Sequence, residues 1–258
     1  MPTVARGRLD GAGILITRPA RQAAGFAQQI AAIGGMPLVF PAIVILPPGD
    51  RRALDVAQHR LASYDFAVFV SANAVEYGVG DRQAWPGQLR VFAPGPGTAA
   101  ALAAAGILDV RVPATTMDSE GLLALPELAA VSGKRVLILR GSGGRQLLGS
   151  TLTARGASVD YVECYTRAKP VAGAAGLEEA LRERRVDATT LTSSEGLDNL
   201  WEVLGADARA RFAATPAFVP HPRIAERARA IGIATVIVTE PADSGLIATL
   251  LEYFAAVR

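Results

Sequence analysis

The stretch VECYTRAKP, residues 162–170, decides how this chain folds. It follows a strand-and-helix pattern and should itself be a buried parallel strand, yet it contains Glu163, Cys164, Tyr165 and Arg167. Strands of parallel sheets are usually continuous apolar runs, and proline is confined to their ends or edges. A polar stretch that ends at a proline therefore does not fit the interior of a parallel sheet.

Short apolar runs alternate with alanine-rich helical segments along the rest of the chain. GILIT (13–17) precedes ARQAAGFAQQIAAIGG (20–35), and RVLILR (135–140) precedes GGRQLLGSTLTARG (143–156). Strands that alternate with longer helices are typical of βα units, which build parallel sheets covered on both faces. The sequence therefore predicts the α/β class.

The chain also repeats itself with a period of about 122 residues. Arg18 and Arg140 close matching strands, and Ser71 and Ser193 close another matching pair. The repeat predicts two similar domains, each with a doubly wound, flavodoxin-like parallel sheet of five strands. The predicted strands are 14–17, 36–40, 188–192, 217–219 and 235–238 in one sheet, and 66–70, 91–93, 110–112, 135–139 and 158–162 in the other.

Two proline-containing connectors, PAIVILPPGD (41–50) and CYTRAKPVAG (164–173), lie at equivalent points of the two copies. If they pair as two antiparallel strands, the chain crosses between the domains twice. This arrangement predicts a discontinuous first domain, 1–42 plus 170–258, a second domain, 48–162, and interdomain ladder strands at 43–47 and 163–169. Two consecutive domains, each formed by one copy, would fit the period equally well.

Composition and charge exclude several classes of protein. The 26 basic and 24 acidic residues give a net charge of +2, too small for a nucleic-acid footprint. The two histidines have no metal-site spacing, and one cysteine cannot form an internal disulfide, although Cys164 could be a nucleophile. The start lacks the apolar region of a secretory signal, and no apolar run approaches the ~20 residues of a membrane helix. We expect a cytoplasmic protein.

Polar residues collect where predicted strands end and helices begin. Thr17 and Arg18 follow one strand, Ser71 stands at an N-cap position, and Thr192 has Glu195 at capping-box spacing. Capping alone would explain each residue singly. Repeated at the carboxyl edges of two sheets, where helix N-termini bind anions, they favour a site for a polyanion.

Two glycine-containing loops do not support nucleotide binding. GPGTAA (95–100) fits the dinucleotide pattern, but no acidic residue closes the next strand to contact a ribose. RGSGGRQ (140–146) lacks the Gly-Lys-Ser/Thr ending of a phosphate-binding loop. The sequence shows no nucleophile elbow and no motif of paired carboxylates.

Four segments resemble the uroporphyrinogen-III synthase family: ILITRP (14–19), VSANAV (70–75), GPGTAAAL (95–102) and GKRVLILRGSGGRQLLGSTLTARGASVDYVECYTR (133–167). The resemblance follows the same order over nearly the whole chain. It implies a HemD-like fold, in which two α/β domains are joined by a two-stranded antiparallel ladder. VECYTRAKP would then be one ladder strand, bordering the cleft.

The resemblance also implies a reaction. Members of this family cyclise hydroxymethylbilane, a linear tetrapyrrole with many carboxylates, to uroporphyrinogen III, with inversion of ring D and loss of water. No metal or organic cofactor is implied. The family resemblance further implies a monomer, with hydroxymethylbilane synthase as a partner that would hand over the substrate.

Tyr165 matches the tyrosine that the family uses as a hydrogen-bond or proton donor to the leaving hydroxyl; a phenol with a reference pKa of ~10 keeps its proton at neutral pH. Strand alternation would put Tyr165 on the same face as Glu163 and Tyr161. A packing tyrosine at a domain joint is the alternative. The implied substrate contacts are Thr17, Arg18, Ser71, Thr98, Arg140, Ser142, Thr192 and Ser193.

One segment departs from the family pattern. VPHPRIAERA (219–228) lacks the expected threonine near Ile224, so backbone amides, His221 or Arg223 would have to take its place. Two other functions remain open at this point. A two-lobed protein that binds a small anion without chemistry would fit the same fold, as would a nucleotide-sugar transferase with two facing lobes.

Overall fold

The computed structural model describes residues 9–81, 85–170 and 173–257. The chain divides into two compact units. The terminal unit contains the described residues up to Val44 together with those from Ala168 onward. The central unit runs from Ile45 to Arg167. The terminal unit is therefore built from two separate segments of the chain.

Eleven strands form within the described residues. In chain order they are β1 Gly13–Ile16, β2 Met36–Val39, β3 Val44–Leu46, β4 Phe66–Phe69, β5 Arg90–Phe92, β6 Val110–Arg111, β7 Arg135–Gly141, β8 Ser158–Ala168, β9 Ala188–Thr190, β10 Ala217–Val219 and β11 Val236–Val238. Each of the ten predicted sheet strands overlaps one of these.

Helices fill most of the intervals between strands. They are α1 Ala20–Ala32, α2 Arg52–His59, α3 Ala72–Gly78, α4 Pro96–Ala104, α5 Ser119–Leu123, α6 Pro126–Ala129, α7 Leu147–Ala154, α8 Ala175–Arg182, α9 Ser194–Val203, α10 Ala206–Ala214, α11 Pro222–Ala230 and α12 Ala242–Val257, with a 3-10 turn at Leu61–Ser63. None of the helices in the described ranges is long and apolar enough to cross a membrane.

The strands form two sheets, and the predicted α/β class is confirmed. The terminal sheet has the order β11-β10-β9-β1-β2, and all its pairs are parallel. The central sheet has the order β3-β8-β7-β4-β5-β6, and the pairs from β8 to β6 are parallel. When strands are matched by the sequence repeat, β11-β10-β9-β1-β2 corresponds to β6-β5-β4-β7-β8. Each sheet therefore takes its strands from both copies of the repeat.

Strand alternation distributes apolar residues to both faces of each sheet. In the terminal sheet, Leu15 packs in a cluster with residues of α8 to α11, while Ile14 and Ile16 pack on the opposite face with α1 and α12. In the central sheet, Phe69 packs with α2, α3 and α4, and Val68 packs with α5, α6 and α7. Helices thus cover both faces of each sheet, and in sheets of this kind ligands bind outside the carboxyl ends of the strands.

Strand β8 differs from its prediction in two ways. It is one uninterrupted strand, Ser158–Ala168, where the sequence predicted a sheet strand followed by a separate ladder strand. Its register with β7 shifts at the end, where Arg140 pairs with Glu163 but Gly141 pairs with Tyr165. This bulge leaves Cys164 as an extra residue, and bulges re-aim the side chains that follow them.

The bulge changes the face on which Tyr165 lies. Tyr165 packs in the same apolar cluster as Val162 and Cys164, whereas Tyr161 packs against the opposite cluster. The expectation that Tyr165 shares a face with Tyr161 and Glu163 was wrong, because simple alternation holds only in a regular strand. The short strand β3, which lies within the predicted segment 43–47, borders β8 at the edge of the sheet.

Candidate functional site

The predicted polar residues lie at the carboxyl edges of the two sheets. In the terminal sheet, Thr17 and Arg18 follow β1, and Thr192 and Ser193 follow β9. β1 and β9 are neighbours, and the chain leaves them toward opposite sides of the sheet. Such a switch point is where doubly wound α/β proteins bind their ligands.

Hydrogen bonds fix the hydroxyl groups at this edge of the terminal unit. Thr17 is buried, and its Oγ1 donates to the carbonyl of Thr190 at 2.9 Å. Ser193 is the N-cap of α9, and its Oγ accepts from the Gly196 N–H at 3.1 Å. The predicted capping box from Thr192 to Glu195 was therefore wrong, because the helix begins one residue later.

Arg18 has a carboxylate partner that the sequence did not reveal. Its Nη1 lies 2.7 Å from Oδ1 of Asp243, in the first turn of α12, and its Cζ lies 4.5 Å from the centre of the Phe26 ring. The guanidinium is thus held in one orientation by an ion pair and a cation–π contact. Only the acidic residue near the start of the last helix could have hinted at this partner.

The segment that lacks the expected threonine has a different cap. His221 is the N-cap of α11, and its Nδ1 accepts from the Arg223 N–H at 3.1 Å. Ile224 is buried. Of the side chains considered from the sequence, His221 therefore occupies the capping position, while the side chain of Arg223 is exposed.

The central unit gathers predicted residues at its own switch point, between β4 and β7. Ser71 follows β4, and Arg140 and Ser142 lie at the end of β7, with Tyr165 beside them on β8. Ser71 is the N-cap of α3, as predicted, and its Oγ accepts from the Ala74 N–H at 3.1 Å. The same Oγ lies 3.2 Å from the hydroxyl of Tyr165.

Tyr165 is a buried side chain, 1% exposed, whose hydroxyl is held by polar partners. Besides Ser71, Nη2 of Arg167 donates to this hydroxyl at 3.4 Å. The ring lies over Gly141, where an added Cβ would stand only 2.5 Å from the tyrosine Cζ. Glycine at position 141 is therefore required for the tyrosine to occupy this position.

Arg140 is also buried, and it braces the loop that follows β7. Its Nη2 donates to the carbonyls of Gly143 and Gly144, and its Cζ lies 4.8 Å from the centre of the Tyr161 ring. Oε1 of Glu163 accepts from the Gly143 N–H at 3.1 Å. Arg140 thus shapes the backbone of this loop.

A pocket of about 140 Å³ opens beside these residues. Arg140, Arg145, Arg167, Tyr161 and Tyr165 contribute to its lining. Sequence reasoning did not select Arg145 or Arg167, although both stand inside quoted motifs. Three guanidinium groups at one pocket suit a ligand that carries carboxylates.

Two predicted residues, Ser142 and Thr98, are not among the residues that line this pocket. The Ser142 N–H donates to the carbonyl of Tyr165 at 2.9 Å and so fixes the backbone at the end of β7. Thr98 is buried in the first turn of α4 and does not line the pocket. Ser71, Arg140, Ser142 and Tyr165 are thus brought together, and Thr98 lies apart from them.

Cys164 has the environment of a structural thiol. It is fully buried, and its Sγ lies 3.3 Å from the carbonyl of Arg140. Burial raises the pKa of this thiol to about 12. Because the thiolate is the nucleophile, a thiol that keeps its proton at neutral pH argues against the nucleophile alternative.

Two doubly wound parallel sheets with hydroxyl and guanidinium groups at their carboxyl edges define an α/β protein of the class that binds anionic ligands at strand ends. The family profile described as uroporphyrinogen-III synthase HemD matches residues 24–248. The chain belongs to the uroporphyrinogen-III synthase family.

Curated relatives agree with this assignment. The chain is 38% identical over 247 residues to the uroporphyrinogen-III synthase of Salmonella typhimurium strain LT2, covering 93% of this chain and 99% of the relative. It is 34% identical over 247 residues to the uroporphyrinogen-III synthase of Escherichia coli strain K12, with the same coverage of both chains.

Solved structures support the fold. The uroporphyrinogen-III synthetase of Helicobacter pylori is similar with a TM-score of 0.60 at 13% identity, covering 94% of this chain and 99% of that chain. A mutant uroporphyrinogen III synthase of Thermus thermophilus gives a TM-score of 0.57 at 20% identity, covering 95% of this chain and 98% of that chain. The predicted fold class is thus confirmed.

Proposed function

We propose that this chain catalyses the cyclisation of hydroxymethylbilane to uroporphyrinogen III in tetrapyrrole biosynthesis. The observation that carries the proposal is the 38% identity to a uroporphyrinogen-III synthase over almost the whole of both chains. This relationship favours an enzyme over a non-catalytic anion-binding protein and over a nucleotide-sugar transferase.

The reaction requires that a hydroxyl leave and that the chain of rings be held in a closing geometry. Protonation of the terminal hydroxyl breaks its C–O bond and releases water, leaving an azafulvene cation. The substituted carbon of ring D attacks this cation, and the spiro intermediate fragments and recloses with ring D inverted. Holding the reacting carbons together contributes several kcal/mol to such a step.

Tyr165 is our proposed donor to the leaving hydroxyl. Its phenol lies at the carboxyl edge of the central sheet, beside the pocket lined by Arg140, Arg145 and Arg167. A donor held by two neighbours and surrounded by protein needs little reorganisation when the proton moves. The alternative role of a packing tyrosine would leave these hydroxyl contacts without a use.

The remaining predicted residues are our candidates for binding the substrate carboxylates. Thr17, Thr192 and Ser193 would act at the terminal edge, next to the N–H groups of α9. Arg18 and Arg140 would contribute through charge, although both already have protein partners. The other candidates are Ser71, Ser142 and Thr98.

We also propose that residues 43–47 and 163–169 act as the joint between two domains, as the sequence predicts. A cytoplasmic location, a monomeric state and hand-over of the substrate by hydroxymethylbilane synthase complete the proposal. No nucleic acid, membrane or cofactor enters the proposed reaction.

An isomer assay tests the function directly. Hydroxymethylbilane left alone closes to the I isomer, so the products can be oxidised and separated to measure the share of the III isomer. We expect mainly the III isomer in the presence of the protein. If only the I isomer forms, as it does in buffer without protein, the result would instead support a non-catalytic anion-binding protein.

A further inference from the structure

Within the part of the chain that the structure describes, the hydroxyl of Tyr165 has two polar neighbours. Ser71 Oγ lies at 3.2 Å, and Arg167 Nη2 lies at 3.4 Å. The guanidinium carbon of Arg167 is 5.8 Å from the centre of the tyrosine ring. All three side chains belong to the central unit, and Arg167 follows Tyr165 by two positions on the same strand.

The chemistry of these groups fixes the direction of one of the two hydrogen bonds and allows the other to run the same way. A guanidinium only donates, so the phenolic oxygen must accept from Arg167. Ser71 Oγ already accepts from the Ala74 N–H, and it retains a proton that it can donate to the same phenolic oxygen. When both neighbours donate, the phenolic proton is free for a third partner in the pocket.

Arg167 differs in this respect from the other arginines of the pocket. Arg140 donates to the carbonyls of its own loop, and Arg145 forms two hydrogen bonds with Glu120, at 2.7 and 3.2 Å. Of the three, Arg167 is the one that contacts Tyr165. Proximity to the hydroxyl therefore separates Arg167 from arginines that would serve only to hold a carboxylate.

We propose that Arg167 is a positioning residue for Tyr165. Before proton transfer, its hydrogen bond to the phenolic oxygen orients the phenolic proton toward the departing hydroxyl. After proton transfer, the same hydrogen bond stabilises the negative charge of the phenolate. In that step the phenolic O–H bond and the substrate C–O bond break and water leaves. The proton that ring D loses on final closure restores the phenol. This inference rests on the proposed function.

A double-mutant cycle tests the role. kcat and KM for formation of the III isomer would be measured for wild type, Arg167→Gln, Tyr165→Phe and the double variant. Hydrogen bonds to charged groups are the strong ones, so Arg167→Gln should lower kcat by roughly tenfold to a hundredfold and leave KM within about twofold. When Tyr165 is already replaced by phenylalanine, Arg167→Gln should change kcat by less than about twofold.

Two further variants sharpen the cycle. Arg167→Lys keeps a cationic donor and should recover part of the lost kcat. Arg145→Gln is the matched control, because its partner is Glu120 and not Tyr165; its effect should be the same with and without Tyr165. Arg167 is exposed, so we expect its replacement to leave the fold intact, and thermal unfolding of each variant measures this.

The outcomes separate the two proposals. An Arg167→Gln effect that multiplies fully with that of Tyr165→Phe, or that falls on KM, would assign Arg167 to substrate binding and overturn the positioning role. Full activity of Tyr165→Phe would overturn it as well. A wild-type protein that forms only the I isomer would instead refute the proposed function.

Discussion

Replacing Gly141 by alanine should lower both the catalytic rate and the stability of the protein, because the added methyl group would collide with Tyr165. Gly141 pairs with Tyr165 across β7 and β8, and an alanine Cβ would lie 2.5 Å from Cζ, 2.6 Å from Cε2 and 3.0 Å from the hydroxyl oxygen of Tyr165. Carbon atoms in contact prefer separations of about 3.5–4.0 Å. The tyrosine ring would therefore have to move by about 1 Å.

That displacement sets the size of the expected effect. A misplacement of about 1 Å in a reacting group can cost on the order of a hundredfold in rate. Crowding of one methyl into a packed site costs about 1–3 kcal/mol of stability. The φ angle of Gly141 is not in the left-handed region, so the methyl acts through its contacts and not through backbone strain.

Steady-state formation of the III isomer and thermal unfolding would measure both effects. Gly25→Ala is the control, because an added Cβ there meets no atom within 4 Å in helix α1. Its activity should be unchanged, and its stability should rise by about 0.5–1 kcal/mol. A Gly141→Ala variant with the kcat and the melting temperature of wild type would refute the placement of Tyr165 against β7.

Two further predictions concern buried titratable groups. The Cys164 thiol, whose pKa burial raises to about 12, should not react with a disulfide reagent at pH 8 until the protein is unfolded, and rapid stoichiometric labelling of the native protein would contradict this. Burial, reinforced by the 2.7 Å hydrogen bond to Asp160, raises the pKa of Tyr64 to about 12. Tyr64 thus contributes stability below pH ~10, and this contribution should be lost as pH rises toward 12. If the melting temperature of Tyr64→Phe fell as steeply as that of wild type between pH 9 and pH 12, this contribution would be refuted.

The sequence predicts the fold well because the signals are local. Strand β1, Gly13–Ile16, is an apolar run followed by Thr17, and β7 repeats that pattern one period later. Hydrophobic runs of this length between helical segments specify a parallel strand whatever their partners. The placement of Ser71 at an N-cap follows from equally local chemistry.

The features that the sequence did not predict depend on contacts between distant residues. The partner of Arg18 is Asp243, which lies almost at the other end of the chain. The bulge at Cys164 arises from the register with β7, which no pattern within β8 reveals. The bulge decides where Tyr165 points, so strand alternation alone gave the wrong face for the proposed donor.

The sequence also predicted the positions of the site residues near Tyr165 but not their long-range contacts. Position after a strand was enough to place Ser71 and Arg140 at one sheet edge. It did not indicate that Arg140 would be engaged by its own loop while Arg167 reached the phenol. Contacts of long side chains are set by tertiary structure, and spacing alone does not determine them.

The most direct test is the isomer ratio formed from hydroxymethylbilane by wild type and by Tyr165→Phe, with Tyr64→Phe as a matched control. Tyr64 is a buried tyrosine of the same unit whose hydroxyl bonds to Asp160, away from the pocket. We expect the III isomer from wild type and Tyr64→Phe, and mainly the I isomer from a folded Tyr165→Phe. Equal yields of the III isomer from all three would contradict the role of Tyr165 on which this account depends.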